Sequence, residues 1–351
     1  MNDFTDEGMG ELFIRSGGLG DMLLSLPAAW SRRRRCAWFQ WLSTGRYGPW
    51  LCGLGFETPR LALDGPAAAA WFSPRSGAEG MSIQPMGTWD RVSRVTSFLR
   101  DPEGVLRANL FGDREVGWVT VLPPPQTSGA EPVPAALWLL SQVEVDGPVR
   151  SAESLAAWSD AYPLRIPEGW KACGMRHWRE LGVSPGAAFI AHPGSGSQRK
   201  NLDEAAFFAL VEALREAWGL QPVLLMGPAE EERLSPEGRS AYPVAAGLDL
   251  CDLTGFLACG PRWVVTHDSG IGHLAGALGL RVVSMFVSTD PRVWAPWFPQ
   301  CCVVDWGATR SSPELRRMGV AESGRPEGPW LIEARDRSPA RVGECLCALP
   351  I

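Results

Sequence analysis

The sequence predicts an α/β protein built as two facing Rossmann-like domains with a central cleft, and three observations predict it. The chain has 351 residues, 45% of them hydrophobic and 21% charged, which is the length of two domains with apolar material for two cores. Two segments repeat one grammar: a short apolar run, a glycine-rich turn, then an amphipathic stretch. The second half then alternates apolar runs with helical patterns, which requires crossover connections and a mostly parallel, doubly wound sheet.

The first of the two repeated segments has a strand over 11–15, the turn Ser16-Gly17-Gly18-Leu19-Gly20-Asp21, and a helix over 22–34. The second has a strand over 188–191, the turn His192-Pro193-Gly194-Ser195-Gly196-Ser197, and a helix over 203–218. In that helix Phe207, Leu210, Val211 and Leu214 keep helical spacing. Strands over 222–226, 263–266 and 282–286 and helices over 229–234 and 271–278 follow. Between 63 and 134 repeated prolines break the pattern, leaving only a strand over 117–122. Residues 164–174, rich in turn formers, read as a linker between the domains. Ligands of parallel sheets sit beyond the carboxyl ends of the strands, so the cleft between the two domains is where chemistry is expected.

A formal charge of -6 and a pI near 5.4 argue against general affinity for nucleic acid, which favours a basic surface that releases counterions. The local exception is Arg32, Arg33, Arg34 and Arg35. They suit the negative end of the first helix dipole, and they also suit a peripheral contact with anionic lipid. With no run of apolar residues long enough to span a bilayer and no signal pattern at the acidic N-terminus, a cytoplasmic protein is expected, with the inner membrane face as the place for any peripheral contact. The nine cysteines are odd in number and form no CxxC pair, so they read as reduced thiols and no metal is expected.

The segment Thr266-His267-Asp268-Ser269-Gly270-Ile271-Gly272-His273 leaves a strand and enters a helix. Its free N–H groups and the helix dipole make an anion site; Asp268 and Ser269 also suit a plain N-cap. Two glycines in the first turn let a ligand approach the backbone. Lys200 is one of only two lysines in the chain and follows the 192–196 turn, where it suits a point charge on phosphate as well as a solvated surface position. Asp21 stands at the N-terminal turn as either an N-cap or a general base. That turn lacks the third glycine of GxGxxG and an acidic residue about 20 positions on, so a dinucleotide fingerprint is poor. His267 and His273 are off the one-face spacing of a helical metal pair. Trp38, Trp41, Trp50, Trp71 and Trp89 could stack on sugar rings, although core packing is the expectation for most of them.

Together, Ile14-Arg15-Ser16 through Gly20-Asp21 with Leu23, Leu26 and Pro27; His192 through Gly196 with Lys200; Gly227-Pro228-Ala229-Glu230; Asp268-Ser269-Gly270 with His273-Leu274-Ala275 and Ala277-Leu278-Gly279; and Ser288-Thr289-Asp290-Pro291 resemble the ADP-heptose:lipopolysaccharide heptosyltransferase family, glycosyltransferase family 9. The resemblance implies a GT-B fold, with an acceptor domain over 1–165, a nucleotide-sugar domain over 166–330, and a C-terminal segment, 331–351, packing back on the first. It implies an inverting, metal-independent transfer of a sugar, heptose above all, from an ADP-sugar to a hydroxyl of a glycan or glycolipid, with no cofactor. Asp21 would be the base and Lys200 would steady the diphosphate. His192, Gly194, Ser195, Gly196, Glu230, Asp268, Ser269, Gly270 and His273 would line the donor side, Glu230 near the ribose, and Gly18 and Gly20 the acceptor-side loop. Two departures stand out: Lys200 precedes Asn201 and Leu202 where the family has an arginine and a bulky aromatic, and the helix before Trp263 is shortened to 256–260. A non-catalytic nucleotide-sugar-binding GT-B protein, or a GT-B enzyme using a UDP- or GDP-sugar, is the alternative.

Overall fold

A computed structural model describes residues 10–74, 89–124, 132–144, 158–307, 314–318, 328–333, 342 and 346. The chain divides into two compact units: Met1–Gly17, Ser25–Pro125 and Ala136–Ala161 form the first, and Gly18–Leu24, Gln126–Ala135 and Tyr162–Ile351 the second.

The N-terminal half runs β1 (Gly10–Ile14), α1 (Leu19–Leu24), α2 (Leu26–Arg34), β2 (Trp38–Leu42), α3 (Gly48–Gly53), β3 (Val92–Ser97), α4 (Val105–Phe111), β4 (Gly117–Thr120) and α5 (Ala135–Val143). The four strands form a parallel sheet in the order β2-β1-β3-β4. Its core is aromatic. Trp41, Trp50, Trp71 and Trp89 are all buried, with Trp41 edge-on to Phe13 at 4.9 Å and Trp71 beside Trp89 at 5.9 Å. Trp38 is half-buried against the same cluster. The four buried tryptophans are therefore packing residues, and none presents a face on which a sugar could stack.

Two features of this half differ from the sequence expectation. The helix expected over 22–34 starts earlier and breaks at Ser25, giving α1 and α2. Pro27 has no N–H to give the Leu23 carbonyl. The Tyr162 hydroxyl donates to that carbonyl instead, at 2.6 Å. The arginine run is likewise not one outward patch. Arg32 is fully buried, and its Nε donates to Glu11 Oε2 at 2.8 Å, while Glu11 Oε1 accepts from Thr96 Oγ1 at 2.6 Å. Arg33 stacks over Trp30 at 4.8 Å, and Arg34 pairs with Asp160.

The C-terminal half runs α6 (Glu168–Leu181), β5 (Ala188–His192), α7 (Glu204–Trp218), β6 (Gln221–Leu225), α8 (Pro228–Arg233), α9 (Pro236–Ser240), β7 (Val244–Ala245), α10 (Leu250–Ala258), β8 (Trp263–His267), α11 (Gly270–Ala277), β9 (Val282–Phe286), α12 (Pro291–Trp294), β10 (Cys301–Asp305), β11 (Glu314–Arg317) and β12 (Trp330–Glu333). Its sheet has the order β11-β12-β10-β9-β8-β5-β6-β7, parallel except where β11 meets β12. The central strands β5, β8 and β9 are buried throughout, as parallel strands covered on both faces must be. Asp203 caps α7 by accepting from Ala206 N–H at 2.8 Å. Of the segment 331–351, Val342 and Leu346 join this core, and residues 334–341, 343–345 and 347–351 lie outside the described residues. So do Cys345 and Cys347; the described cysteines are free thiols.

Residues 164–174 are not a linker, since α6 begins at Glu168. Nor does the chain shorten its helix to 256–260: α10 spans Leu250–Ala258 and contains Asp252 through Gly255. Gly174, read as a turn former, serves a helix crossing with Gly255. A methyl group at Gly174 would stand 2.3 Å from the Gly255 backbone, and one at Gly255 would stand 1.9 Å from the Trp170 carbonyl oxygen. Close approach at this point lets Trp178 stack on Phe256 at 4.3 Å and donate Nε1–H to the Phe256 carbonyl at 2.9 Å. Gly255→Ala should force α6 and α10 apart and cost about 2–3 kcal/mol, read as a lowered denaturation midpoint. No helix among the described residues is long and apolar enough to cross a membrane.

Candidate functional site

The candidate site lies in the second unit, at the carboxyl ends of β5, β6 and β8. Strand β8 ends in His267, and Asp268 follows it, held by its own N–H to the Met285 carbonyl at 2.9 Å. The Asp268 carboxylate is buried. Its Oδ2 accepts from Lys200 Nζ at 2.7 Å and from Thr289 Oγ1 at 2.6 Å. Lys200 itself ends a 3-10 turn, Gln198–Lys200, and remains one-third exposed. The lysine is thus neither a free surface cation nor a buried one. It is a charge pinned at its head by a carboxylate and open to solvent on its remaining side.

Helix α11 begins beside this pair. Ser269 occupies the N-cap position but makes no capping bond, its hydroxyl pairing with Thr266 Oγ1 at 2.8 Å. Neither Asp268 nor Ser269 caps the helix with its side chain, so the first N–H groups of α11 keep their partial positive charge. Gly270 is required by close packing: a methyl there would lie 2.8 Å from Leu19 Cβ and 2.9 Å from the Gly20 nitrogen. Gly20 in turn would place a methyl 3.4 Å from His273 Cδ2. These small residues let α1 lie against α11. Asp21, the third residue of α1, is not the N-cap; its Oδ2 accepts the N–H of Gly18 at 2.9 Å, half of a capping box.

The 192–196 turn is built around a second carboxylate. Glu230 is buried, and its Oε2 accepts the Gly227 N–H at 2.9 Å at the start of α8. Its Oε1 lies where a Gly194 side chain would begin, 1.7 Å from an added methyl, so only glycine admits Glu230 here. Ser195 Oγ donates to the Ser197 carbonyl at 2.8 Å and folds the turn. Gly196 has open space in front of its Cα.

Three buried histidines surround these groups. His192 donates Nδ1–H to the Leu225 carbonyl at 2.9 Å, and burial lowers its pKa against the opposing pull of that carbonyl and of Glu230. His273 is lowered by burial, with Lys200 adding to the effect and Asp268 and Asp21 opposing it. Burial, reinforced by His192, pushes His267 down to about 3. Its Nε2 accepts the Leu202 N–H at 3.0 Å, so the proton sits on Nδ1. All three are neutral imidazoles near neutral pH. Among the described residues no group of three or more His, Cys, Asp or Glu is arranged to hold a metal ion.

Residues 176–323 match the family model for Glycosyltransferase family 9 (heptosyltransferase). Lipopolysaccharide heptosyltransferase 1 of Pseudomonas aeruginosa is 26% identical over 297 residues, covering 80% of this chain and 79% of that protein. Over most of its second unit the chain is thus similar to glycosyltransferase family 9. Among solved structures, the family 9 glycosyl transferase from Veillonella parvula covers 90% of both chains at a TM-score of 0.64 and 14% identity. The Escherichia coli ADP-heptose lps heptosyltransferase II covers 97% of this chain and 98% of its own at 0.61 and 17% identity. At those identities the likeness concerns the fold, which is GT-B, with two Rossmann-like units.

Lys200, Asp268, Ser269, Gly270 and His273 lie together, with Gly18, Gly20 and Asp21 on the segment packed beside them. Gly194, Ser195, Gly196 and Glu230 form the neighbouring turn with His192. The sequence reading missed two residues. Thr289 sits in the quoted Ser288-Thr289-Asp290-Pro291 motif and is the second donor to Asp268; a hydroxyl at the motif's centre was the available signal. His267 was weighed only as a metal partner, and its spacing from His273 says nothing of a bond to Leu202.

Proposed function

We propose that this protein is an inverting, metal-independent glycosyltransferase that moves a heptose-class sugar from an ADP-sugar to a hydroxyl of a glycan or glycolipid acceptor. The observation that carries the reading is Lys200, pinned by Asp268 beside the side-chain-uncapped start of α11. Negative charge grows on the departing diphosphate as the anomeric bond breaks. A preorganised ammonium and fixed N–H dipoles aimed at that charge stabilise it without reorganisation.

Asp268 acts through Lys200 in this scheme, its own carboxylate being occupied by the lysine and Thr289. Gly196 leaves the backbone open to the phosphates, whereas the faces of Gly270 and Gly272 are filled by Leu19 and Thr266 and serve packing. Glu230, held against Gly194, offers its carboxylate to the ribose hydroxyls. Asp21 takes the proton of the acceptor hydroxyl as that oxygen attacks the anomeric carbon from the face opposite the diphosphate, which inverts the configuration. The relatives named for heptose and lipopolysaccharide support this choice of sugar and acceptor class; the setting that goes with it is the cytoplasm, where nucleotide sugars are available.

Calorimetry with ADP, UDP and GDP tests the donor side. ADP should bind best, and Lys200→Ala should weaken it roughly tenfold to a hundredfold, as expected for a charge-assisted phosphate contact. Tighter binding of UDP or GDP would reassign the nucleotide. Equal ADP affinity in Lys200→Ala would remove the lysine from the site. ADP binding without turnover of any ADP-sugar would turn the protein into a binding member of the fold.

A further inference from the structure

We propose that His267 is a positioning residue for Lys200, gripping the lysine loop by its backbone while the adjacent Asp268 holds the ammonium group. Consecutive residues at the end of β8 thereby fix both parts of one side chain's support. His267 Nε2 accepts the Leu202 N–H at 3.0 Å, two residues beyond the lysine, and Asp268 Oδ2 receives Nζ at 2.7 Å. The other backbone bonds of this stretch, Lys200 N–H to the Ser197 carbonyl and Asn201 N–H to the Gln198 carbonyl, each at 3.0 Å, lie within the loop and would travel with it. The bond to His267 ties the loop to the sheet.

The ring is well suited to that task. It has no exposure to solvent, lies 5.1 Å from the Phe207 ring, and its backbone carbonyl accepts from Ser284 Oγ at 3.1 Å. A carboxylate at this position would set a second buried negative charge beside Asp268, whereas a neutral imidazole supplies a lone pair without charge. The partner fits as well, since Leu202 and Asn201 stand where the resemblance leads one to expect an arginine and a bulky aromatic. The Leu202 side chain also rests on the core, so the fold does not depend on this one bond.

The proposal rests on Lys200 contacting the diphosphate, and the experiment separates the two. ADP affinity is measured by calorimetry for wild type, His267→Leu, His267→Gln, Lys200→Ala and the His267→Leu/Lys200→Ala double variant. Hydrogen exchange is followed on the peptide containing Leu202. His267→Leu should weaken ADP about five- to tenfold and speed exchange at Leu202. His267→Gln, whose side-chain oxygen can replace Nε2, should recover both. In the Lys200→Ala background His267→Leu should add little, since two residues acting on one contact are not additive.

Wild-type ADP affinity in His267→Leu, with Lys200→Ala weakened, overturns this proposal alone. The same loss in both backgrounds also overturns it, because a general structural defect would act without the lysine. Unchanged affinity in Lys200→Ala overturns the donor reading together with this one. If His267→Leu does not fold, His267→Asn takes its place; its shorter amide falls short of Leu202 and should behave unlike His267→Gln.

Discussion

Asp21→Asn should slow sugar transfer by about 10²–10⁴-fold, the range over which a positioned base accelerates proton transfer, while ADP affinity stays within about twofold of wild type. The substitution is chosen for what it keeps. An asparagine oxygen can still accept the Gly18 N–H that the Asp21 carboxylate now receives at 2.9 Å, so the start of α1 and its packing through Gly20 and Gly270 are retained. Only the basicity of the side chain is removed. Single-turnover rates with saturating ADP-sugar, set beside calorimetric affinity for ADP, give the two numbers. A rate near wild type would mean that another group takes the acceptor proton, and a parallel loss of ADP binding would mean that Asp21 shapes the donor site.

The largest effect on stability should come from the first unit. Arg32→Met should destabilise it by about 3–5 kcal/mol, because it leaves the Glu11 carboxylate buried without its cation. Removing both charges together, in Glu11→Leu with Arg32→Met, should recover most of that loss, since a dry apolar pair of similar volume replaces an ion pair whose desolvation cost offsets much of its attraction. Thr96, which now donates to Glu11 at 2.6 Å, is the residual cost in the double variant. Urea denaturation followed by hydrogen exchange on peptides from β1, β2 and β3 reads the first unit directly, since these strands carry its sheet. If Arg32 were one of four outward arginines, the single variant would be neutral in this assay.

That contrast also marks where the sequence could and could not be read. Strands β5, β8 and β9 are mainly apolar runs, the first two followed by glycine-rich turns, and α7 shows its buried face in Phe207, Leu210, Val211 and Leu214, so their type follows from period. The site turns were legible for a related reason: glycines next to a buried carboxylate or a neighbouring helix are not interchangeable with other residues. The pair between Glu11 and Arg32 was hidden because its members sit 21 positions apart, the acid in a strand that reads as apolar and the base in a run of four that reads as surface. Strand β3, with Ser93, Arg94, Thr96 and Ser97, carries too few apolar residues to announce itself. Gly174 looks like a linker glycine until the opposing helix, with its own Gly255, is in place. The bond from Leu202 to His267 is made by a backbone amide, and nothing in a side-chain pattern reports it.

The segment Gly18–Leu24 packs with the second unit although residues on both sides of it belong to the first. Sequence halves and structural bodies therefore do not coincide, and this matters for chimeras. A swap that exchanges the first half of this chain for that of a relative at a junction near residue 161 would carry a foreign Leu19, Gly20 and Asp21 against the resident Gly270 and His273, where a methyl on Gly270 would already stand 2.8 Å from Leu19 Cβ. Any such graft requires that seven-residue stretch to stay with its host, so that Leu19, Gly20 and Asp21 remain matched to the Gly270 and His273 on which they pack.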